Sequence, residues 1–266
     1  MKDWVPDWDG TLYAANTAHH RAHDDGFLAS TPLRTTDRIL DLGCGAGDLT
    51  ATLAELVPHG HVLGVDAQPS MLAEARSRAR ANQFFVETTL QRLDETLSSP
   101  DHDGAYDVVV SRAVLHWVPW QDWPAVLASI RRLLRPGGWL RIDCGGAGNI
   151  PRMRRLLDAV STTHGGPTTP WTFLDAGTAL DLLEAARFDP FVEGAFVRTV
   201  AQRRPFDDES LRGWLRSQVF QAYEATMPAD HRDAFRAEVE GRLDDVRRGD
   251  GSLDQTYVRL DLLARG

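Results

Sequence analysis

Residues 39–50 read ILDLGCGAGDLT, and the chemistry they suggest is the holding of a ligand. Gly43, Gly45 and Gly47 stand between a short apolar run and an amphipathic stretch, so a buried strand turns through glycines into a helix. Lacking side chains, such a loop bends tightly and lies flat against a bound molecule. Two acids frame it, Asp41 before the loop and Asp66 at the end of the next apolar run, HVLGVD. Asp66 is placed to accept hydrogen bonds from both hydroxyls of a ribose. The spacing is GxGxG, with Asp48 where a dinucleotide loop carries its third glycine. Asp41 and Asp48 would repel a pyrophosphate at the helix start, so a neutral or cationic ligand fits better and a nicotinamide oxidoreductase is disfavoured.

Beyond the loop, the run SRAVLHWV (111–118) follows an apolar segment. Three roles fit His116: a general base, a contact to a ligand, or a packed residue with one hydrogen bond. Trp117, Trp120 and Trp123 crowd the same region, as walls of an apolar pocket or as core. Arg112 suits a carboxylate clamp, since its fork matches two oxygens, and suits an ion pair equally. Trp171, Trp214 and Tyr223 fall in later helical patterns, where one or two are expected to line a pocket. In the first segment, Tyr13 is a candidate for closing over the ligand and equally for plain packing. His19 and His23 share a helix face beside His20 and Asp24, but no third ligand stands at clear spacing, so no metal is expected. Cys44 needs only a small side chain pointing away from the ligand. With Cys144 it forms no CxxC pair, which excludes a zinc or disulfide framework and fits a reducing cytoplasm.

These residues need a scaffold that brings strand ends together. From Asp37 short apolar runs alternate with amphipathic stretches, the signature of parallel strands joined by crossover helices. Strands are expected over 38–42, 61–65, 84–88, 106–111 and 139–143, with helices over 48–56, from Pro69, and over 123–134. Residues 135–138 (RPGG) close the last of these. Past residue 145 helical patterns at 152–162, 178–186, 207–223 and 230–247 accompany an apolar segment at 191–200 and a last strand at 256–263. The fold class expected is α/β, a Rossmann-like doubly wound, mostly parallel seven-stranded sheet. The expected division is an N-terminal helical lid over 1–34, a core over 35–200 and 253–266, and a C-terminal helical cap insertion over 201–252.

The 266 residues are 42% hydrophobic and 25% charged, enough for a sizeable core. A net charge of -9 argues against nucleic acid as a partner. No apolar stretch is long enough for a membrane helix, and two Asp near the start argue against a signal peptide.

Between Asp37 and Gly146 the glycine loop, the acid after the second strand, YDVVVS, and LLRPGGWLRI follow one another as in the class I S-adenosylmethionine-dependent methyltransferases, which the chain resembles. The resemblance implies S-adenosyl-L-methionine as cofactor and S-adenosyl-L-homocysteine as product. It implies that the loop backbone meets the methionyl part, that Asp66 binds the ribose, and that Ala67 and Met71 lie near the adenine. Where the family often has an Asp for the adenine amino group this chain has Thr89, so that contact is expected from Leu90 or Gln91. The cofactor-binding set is therefore Asp41, Gly43, Cys44, Gly45, Gly47, Asp66, Ala67, Met71, Leu90, Gln91, Ser111 and Tyr13. His116 is the catalytic candidate, and Arg112, Trp117 and Trp171 are assigned to the acceptor. The run 111–118 and WDGTLYAAN (8–16) are similar to segments of trans-aconitate and juvenile-hormone-acid methyltransferases, which esterify carboxylates. A small-molecule acceptor, a carboxylic acid first, is the partner this implies. An N- or C-methyltransferase and a protein that binds the cofactor without methylating are the alternatives. Nothing in the sequence speaks to oligomeric state.

Overall fold

A computed structural model describes residues 24–266. Among these residues seven strands form one sheet in the order β3-β2-β1-β4-β5-β7-β6. β1 (Arg38–Leu42), β2 (His61–Asp66), β3 (Gln83–Glu87), β4 (Tyr106–Arg112) and β5 (Leu134–Gly145) run parallel. β7 (Gln255–Arg265) lies antiparallel between β5 and β6 (Phe196–Arg204).

The central strands are apolar almost without interruption because helices cover both faces. Ile39, Val108 and Val110 pack with Leu49 and Leu53 of helix Asp48–Leu56 on one side. Leu40, Leu42 and Val109 pack with Val126, Leu127 and Ile130 of helix Trp123–Leu133 on the other. Strand order reverses between β1 and β4, which opens a crevice at their carboxyl ends. That crevice is where the glycine loop lies.

Several boundaries differ from expectation for physical reasons. β5 starts at Leu134, five residues early, because Leu134 already pairs with Tyr106 before the register shifts to Val108 and Trp139. The RPGG segment is thus an irregularity inside the strand pair, with Gly137 at φ 72°. The helix expected over 207–223 breaks at Val219 (φ -124°, ψ -51°) into Asp208–Gln218 and Phe220–Glu224. The stretch 230–247 holds one α-helix, Arg232–Gly241, between two 3₁₀ turns. The edge strand begins at Phe196, and the apolar residues before it include Phe191, 69% exposed.

The helices beyond β5 have a core of their own. Leu211, Trp214, Phe220, Phe235 and Val239 pack with Met153, Leu157 and Val160 of helix Pro151–Thr163. Packing therefore joins residues 150–163 to the helices expected as a cap over 201–252. At the other end, Phe27 of helix Asp24–Ala29 packs against Ile39 and Leu53, and Arg141 Nη2 donates to Ser30 Oγ at 3.2 Å. This part of the expected lid is docked on the sheet. Tyr13, His19, His20 and His23 lie outside the described residues. Among the described residues no helix is long and apolar enough to cross a membrane.

Candidate active site

The glycine loop is bent back over β2. The N–H groups of Gly43 and Cys44 both donate to Val65 O, at 2.8 and 3.0 Å. At Gly43 a Cβ would stand 2.2 Å from Val114 Cγ2, and φ is 72°, so only glycine fits beneath the segment that follows β4. At Gly45 (φ 55°) a Cβ would meet nothing within 4 Å, because the loop faces open space there. The N–H of Gly45 donates to Asp66 Oδ2 at 2.9 Å, and that of Gln68 donates to Oδ1 at 2.9 Å. Two fixed donors thus orient the carboxylate at the end of β2. Each oxygen keeps a lone pair for a ligand hydroxyl. Burial pushes the pKa of Asp66 up, against the pull of these N–H groups.

Gly43, Gly45, Asp66, Ala67, Met71, Leu90 and Gln91 line one end of a cavity that opens to solvent. Thr88 and Thr89 line it as well, and Thr89 Oγ1 is buried with no hydrogen-bond partner. Gln91 Nε2 donates to Asp122 Oδ2 at 3.3 Å.

The other end is built where β4 stops. Ala113, at φ 60°, holds a left-handed conformation that costs a non-glycine residue about 1–2 kcal/mol. Its N–H donates to Asp143 O at 2.7 Å. This turn carries Arg112, Val114, His116 and Trp117 into the lining. His116 sits on the 3₁₀ turn Leu115–Trp117, where its Nδ1 accepts the backbone N–H of Gly145 at 3.2 Å. Its withdrawal from bulk water, then the charge of Arg259, push its pKa down to about 3. The ring is neutral with its proton on Nε2, and its one basic lone pair is taken. Of the three roles open to His116, this geometry favours a ligand contact over a general base.

An aromatic wall closes this end. Trp171 stacks on Phe173 at 5.6 Å and meets Trp117 edge-on at 5.7 Å, while Trp214 lies 6.1 Å from Tyr257. The break at Val219 turns Gln218 and Val219 into the same lining. Tyr257, Val258 and Arg259 of β7 complete it, with Asn149 and Ile150.

A family described as methyltransferase domain matches residues 39–138. A trans-aconitate 2-methyltransferase of Deinococcus radiodurans is 33% identical over 195 residues, 72% of this chain and 68% of that protein. The chain belongs to the class I S-adenosylmethionine-dependent methyltransferases. A second trans-aconitate 2-methyltransferase, of Variovorax paradoxus, is 29% identical over 97% of this methyltransferase and 98% of its own length. Among solved structures, the YcgJ protein of Bacillus subtilis superposes with a TM-score of 0.62 at 17% identity, covering 92% of this chain and 98% of that one. Phosphoethanolamine N-methyltransferase 2 of Haemonchus contortus, solved with S-adenosyl-L-methionine, gives 0.59 at 16% identity, over 96% of this chain and 56% of its own. These two likenesses concern the fold.

The residues of the methyltransferase fit its cofactor on three observations: the open face at Gly45, the pre-oriented carboxylate of Asp66, and the unpartnered Thr89 Oγ1 beside Leu90. Four of the expected contacts lie elsewhere. Asp41 is buried behind the loop, where it accepts Thr50 Oγ1 at 2.7 Å, and burial raises its pKa to about 7. Cys44 points its Sγ at Gly64, and burial pushes its thiol pKa up. Gly47 caps helix Asp48–Leu56 against Ala75. Ser111 donates to Leu42 O at 3.1 Å, inside the sheet. Tryptophans divide likewise: Trp123 is core, its Nε1 donating to Val118 O, and Trp120 is 51% exposed. Trp171 and Trp214 line the cavity, whereas Tyr223 lies behind and donates to Asp158 Oδ1. Arg259, Tyr257 and Phe173 carried no motif, whereas Asn149 lies in the run GGAGNI (145–150). Among the described residues no group of three or more His, Cys, Asp or Glu could hold a metal.

Proposed function

We propose that this methyltransferase transfers the methyl group to a carboxylate oxygen of a small organic acid. The observation that carries this reading is the state of His116, whose basic lone pair is occupied by Gly145 N–H. Among the described residues the other polar and aromatic side chains at the acceptor end are Arg112, Trp117, Asn149, Trp171, Phe173, Trp214, Gln218, Tyr257 and Arg259, and none of these is a base at neutral pH. Tyr257 is no exception, since burial raises its pKa to about 12. An acceptor oxygen here must arrive already deprotonated. A carboxylate, with a pKa of about 4, does so near pH 7, whereas a phenol or alcohol does not. Two full-length relatives named for trans-aconitate support a carboxylic acid of that kind.

When bound, the cofactor supplies an activated methyl on a sulfonium, so acid–base catalysis is not required of the protein. Asp66, the open face of the glycine loop and the Thr89 end hold the nucleoside. Nε2–H of His116 donates to the acceptor carboxylate, which fixes one oxygen and leaves the other free for in-line attack. Arg112 balances the negative charge of the acceptor or of the methionyl carboxylate. The aromatic wall excludes water, and the two free, buried cysteines fit a reducing cytoplasm. The test is transfer of labelled methyl to a panel of carboxylic acids, phenols and amines. Alkali-labile product from the acids is expected, and stable product from phenols or amines alone would overturn the proposal.

A further inference from the structure

The sheet ends on one side at β6, beyond which no strand lies among the described residues. Its residues from Phe196 to Arg204 all pair with β7 in one unbroken register. The outer row of N–H and C=O groups is therefore a ready template for one more strand. Such an edge is ordinarily spoiled by proline, a bulge or free charge, and β6 has neither proline nor bulge.

Its charges are turned back towards β7. Arg198 Nε donates to Asp261 Oδ2 at 2.8 Å, while Arg203 donates Nη2 to Asp250 Oδ2 at 2.7 Å and Nε to Asp254. Arg204 Nη1 donates to Tyr257 Oη at 2.6 Å, and its guanidinium covers the ring of Phe206. The middle of the strand, Thr199, Val200 and Ala201, is uncharged and exposed. Among the described residues few large apolar side chains are exposed, and two of them belong here: Val200 on β6 and Phe191 in the segment that leads into it. The opposite edge is built otherwise. β3 is only five residues long, and Arg76 Nη2 donates to Phe85 O there at 3.0 Å.

What fits this edge is β6 itself. Turned antiparallel about a two-fold axis through Val200, the strand meets a copy of itself along its whole length. Val200 then faces Val200, Thr199 faces Ala201, Arg198 faces Gln202, Val197 faces Arg203 and Phe196 faces Arg204. No cation stands opposite another, where like charges would oppose pairing. Sliding the copy one residue in one direction sets Arg198 opposite Arg203, and a further residue sets it opposite Arg204. Sliding it the other way drops the ends of the strand from the pairing. We propose that β6 is a homodimer interface, in which two copies of the chain join their sheets antiparallel about Val200. The cofactor crevice lies at β1 and β4, inside each sheet, so both copies keep a complete one.

The first measurement is the mass in solution, by light scattering or sedimentation at about 100 µM protein. Twice the 29.5 kDa of one chain is expected for the wild type, and one chain's mass for Val200→Lys, which sets two ammonium groups face to face on the axis. Val200 is 39% exposed, so the substitution should leave melting temperature and S-adenosylhomocysteine affinity unchanged. The second measurement reads the register. Directly opposed residues of antiparallel strands have Cα atoms about 4.5–5.5 Å apart, within the span of a disulfide. Cys44 and Cys144 are buried, so an introduced thiol on β6 is the one that reacts. Under copper–phenanthroline oxidation Val200→Cys should cross-link to itself about tenfold faster than Thr199→Cys. Thr199→Cys mixed with Ala201→Cys should link across the pair. A wild type of single-chain mass would overturn the proposal. So would a dimer that survives Val200→Lys, or equal self-linking by Val200→Cys and Thr199→Cys.

Discussion

The backbone N–H of Gly145 donates to Nδ1 of His116 at 3.2 Å, across 29 residues of sequence. A backbone N–H can only donate, so this contact settles the tautomer of the ring. In the proposed reaction the histidine is a donor at Nε2, and the acceptor arrives ionised.

Replacement of His116 by Ala should lower kcat/KM about ten- to hundredfold, the ~1.5–3 kcal/mol of one hydrogen bond to a charged group. It also leaves Gly145 N–H without its acceptor, so the melting temperature should fall. The wild-type rate should be flat between pH 6 and 8. A histidine-like inflection near 6.5 that vanishes in the variant would restore the general base. The pKa near 3 lies below the ordinary 6.5, so the unfolded chain binds more protons in that interval. Stability from this group is lost as pH falls from 6.5 towards 3.

Asp41 has the opposite sign. Its folded pKa of about 7 lies above the ordinary 3.8, so the native state holds the extra proton between those values. Its contribution to stability is full below about 3.8 and declines as pH rises through 7. Asp41→Asn keeps an acceptor for Thr50 and removes the titration. Thermal melts at pH 5 and pH 8 should show the wild type losing ground to the variant at the higher pH. Parallel shifts of both proteins would contradict the assignment.

Alanine at Gly43 and at Gly45 should fail differently. The Gly43→Ala methyl collides with Val114 at 2.2 Å, so unfolding at lower temperature is expected before any question of binding. The Gly45→Ala methyl has room and carries only the left-handed backbone cost, about 1 kcal/mol. It projects into the face assigned to the cofactor, so calorimetry should register at least a tenfold weaker S-adenosylhomocysteine. Unchanged affinity would remove the loop from the site.

Asp66→Asn offers one acceptor oxygen where the wild type has two, facing the N–H groups of Gly45 and Gln68. S-adenosylhomocysteine should bind about ten- to hundredfold more weakly, equivalent to ~1.4–2.8 kcal/mol. Full affinity in the variant would show that the ribose is held elsewhere.

The half of the site proposed to hold the cofactor is legible along the chain because it is local. Gly43, Gly45 and Asp66 lie at the ends of adjacent parallel strands, and each sits at a fixed offset from a hydrophobic run. Their types follow from geometry that the strand–turn–helix imposes. Helix Asp48–Leu56 matches its expected limits for the same reason, being bounded by glycine on one side and a buried Val57 on the other. Asp41 and Ser111 are read less well. Both stand among cavity residues in sequence, yet period-two alternation sends their side chains into the sheet.

Composition and spacing were enough to expect a doubly wound sheet and a glycine loop with its acid, since both depend on contacts between neighbouring segments; the cofactor followed from the resemblance to the class I methyltransferases. The acceptor end depended on long-range pairing. β7 inserts antiparallel beside β5, which sets Arg259 against Asp143 across 116 residues and Tyr257 beneath Arg204 across 53. No periodicity along a strand encodes which strand lies beside it. The protonation of His116 belongs to the same class, because it turns on a peptide N–H that folding alone brings to the ring.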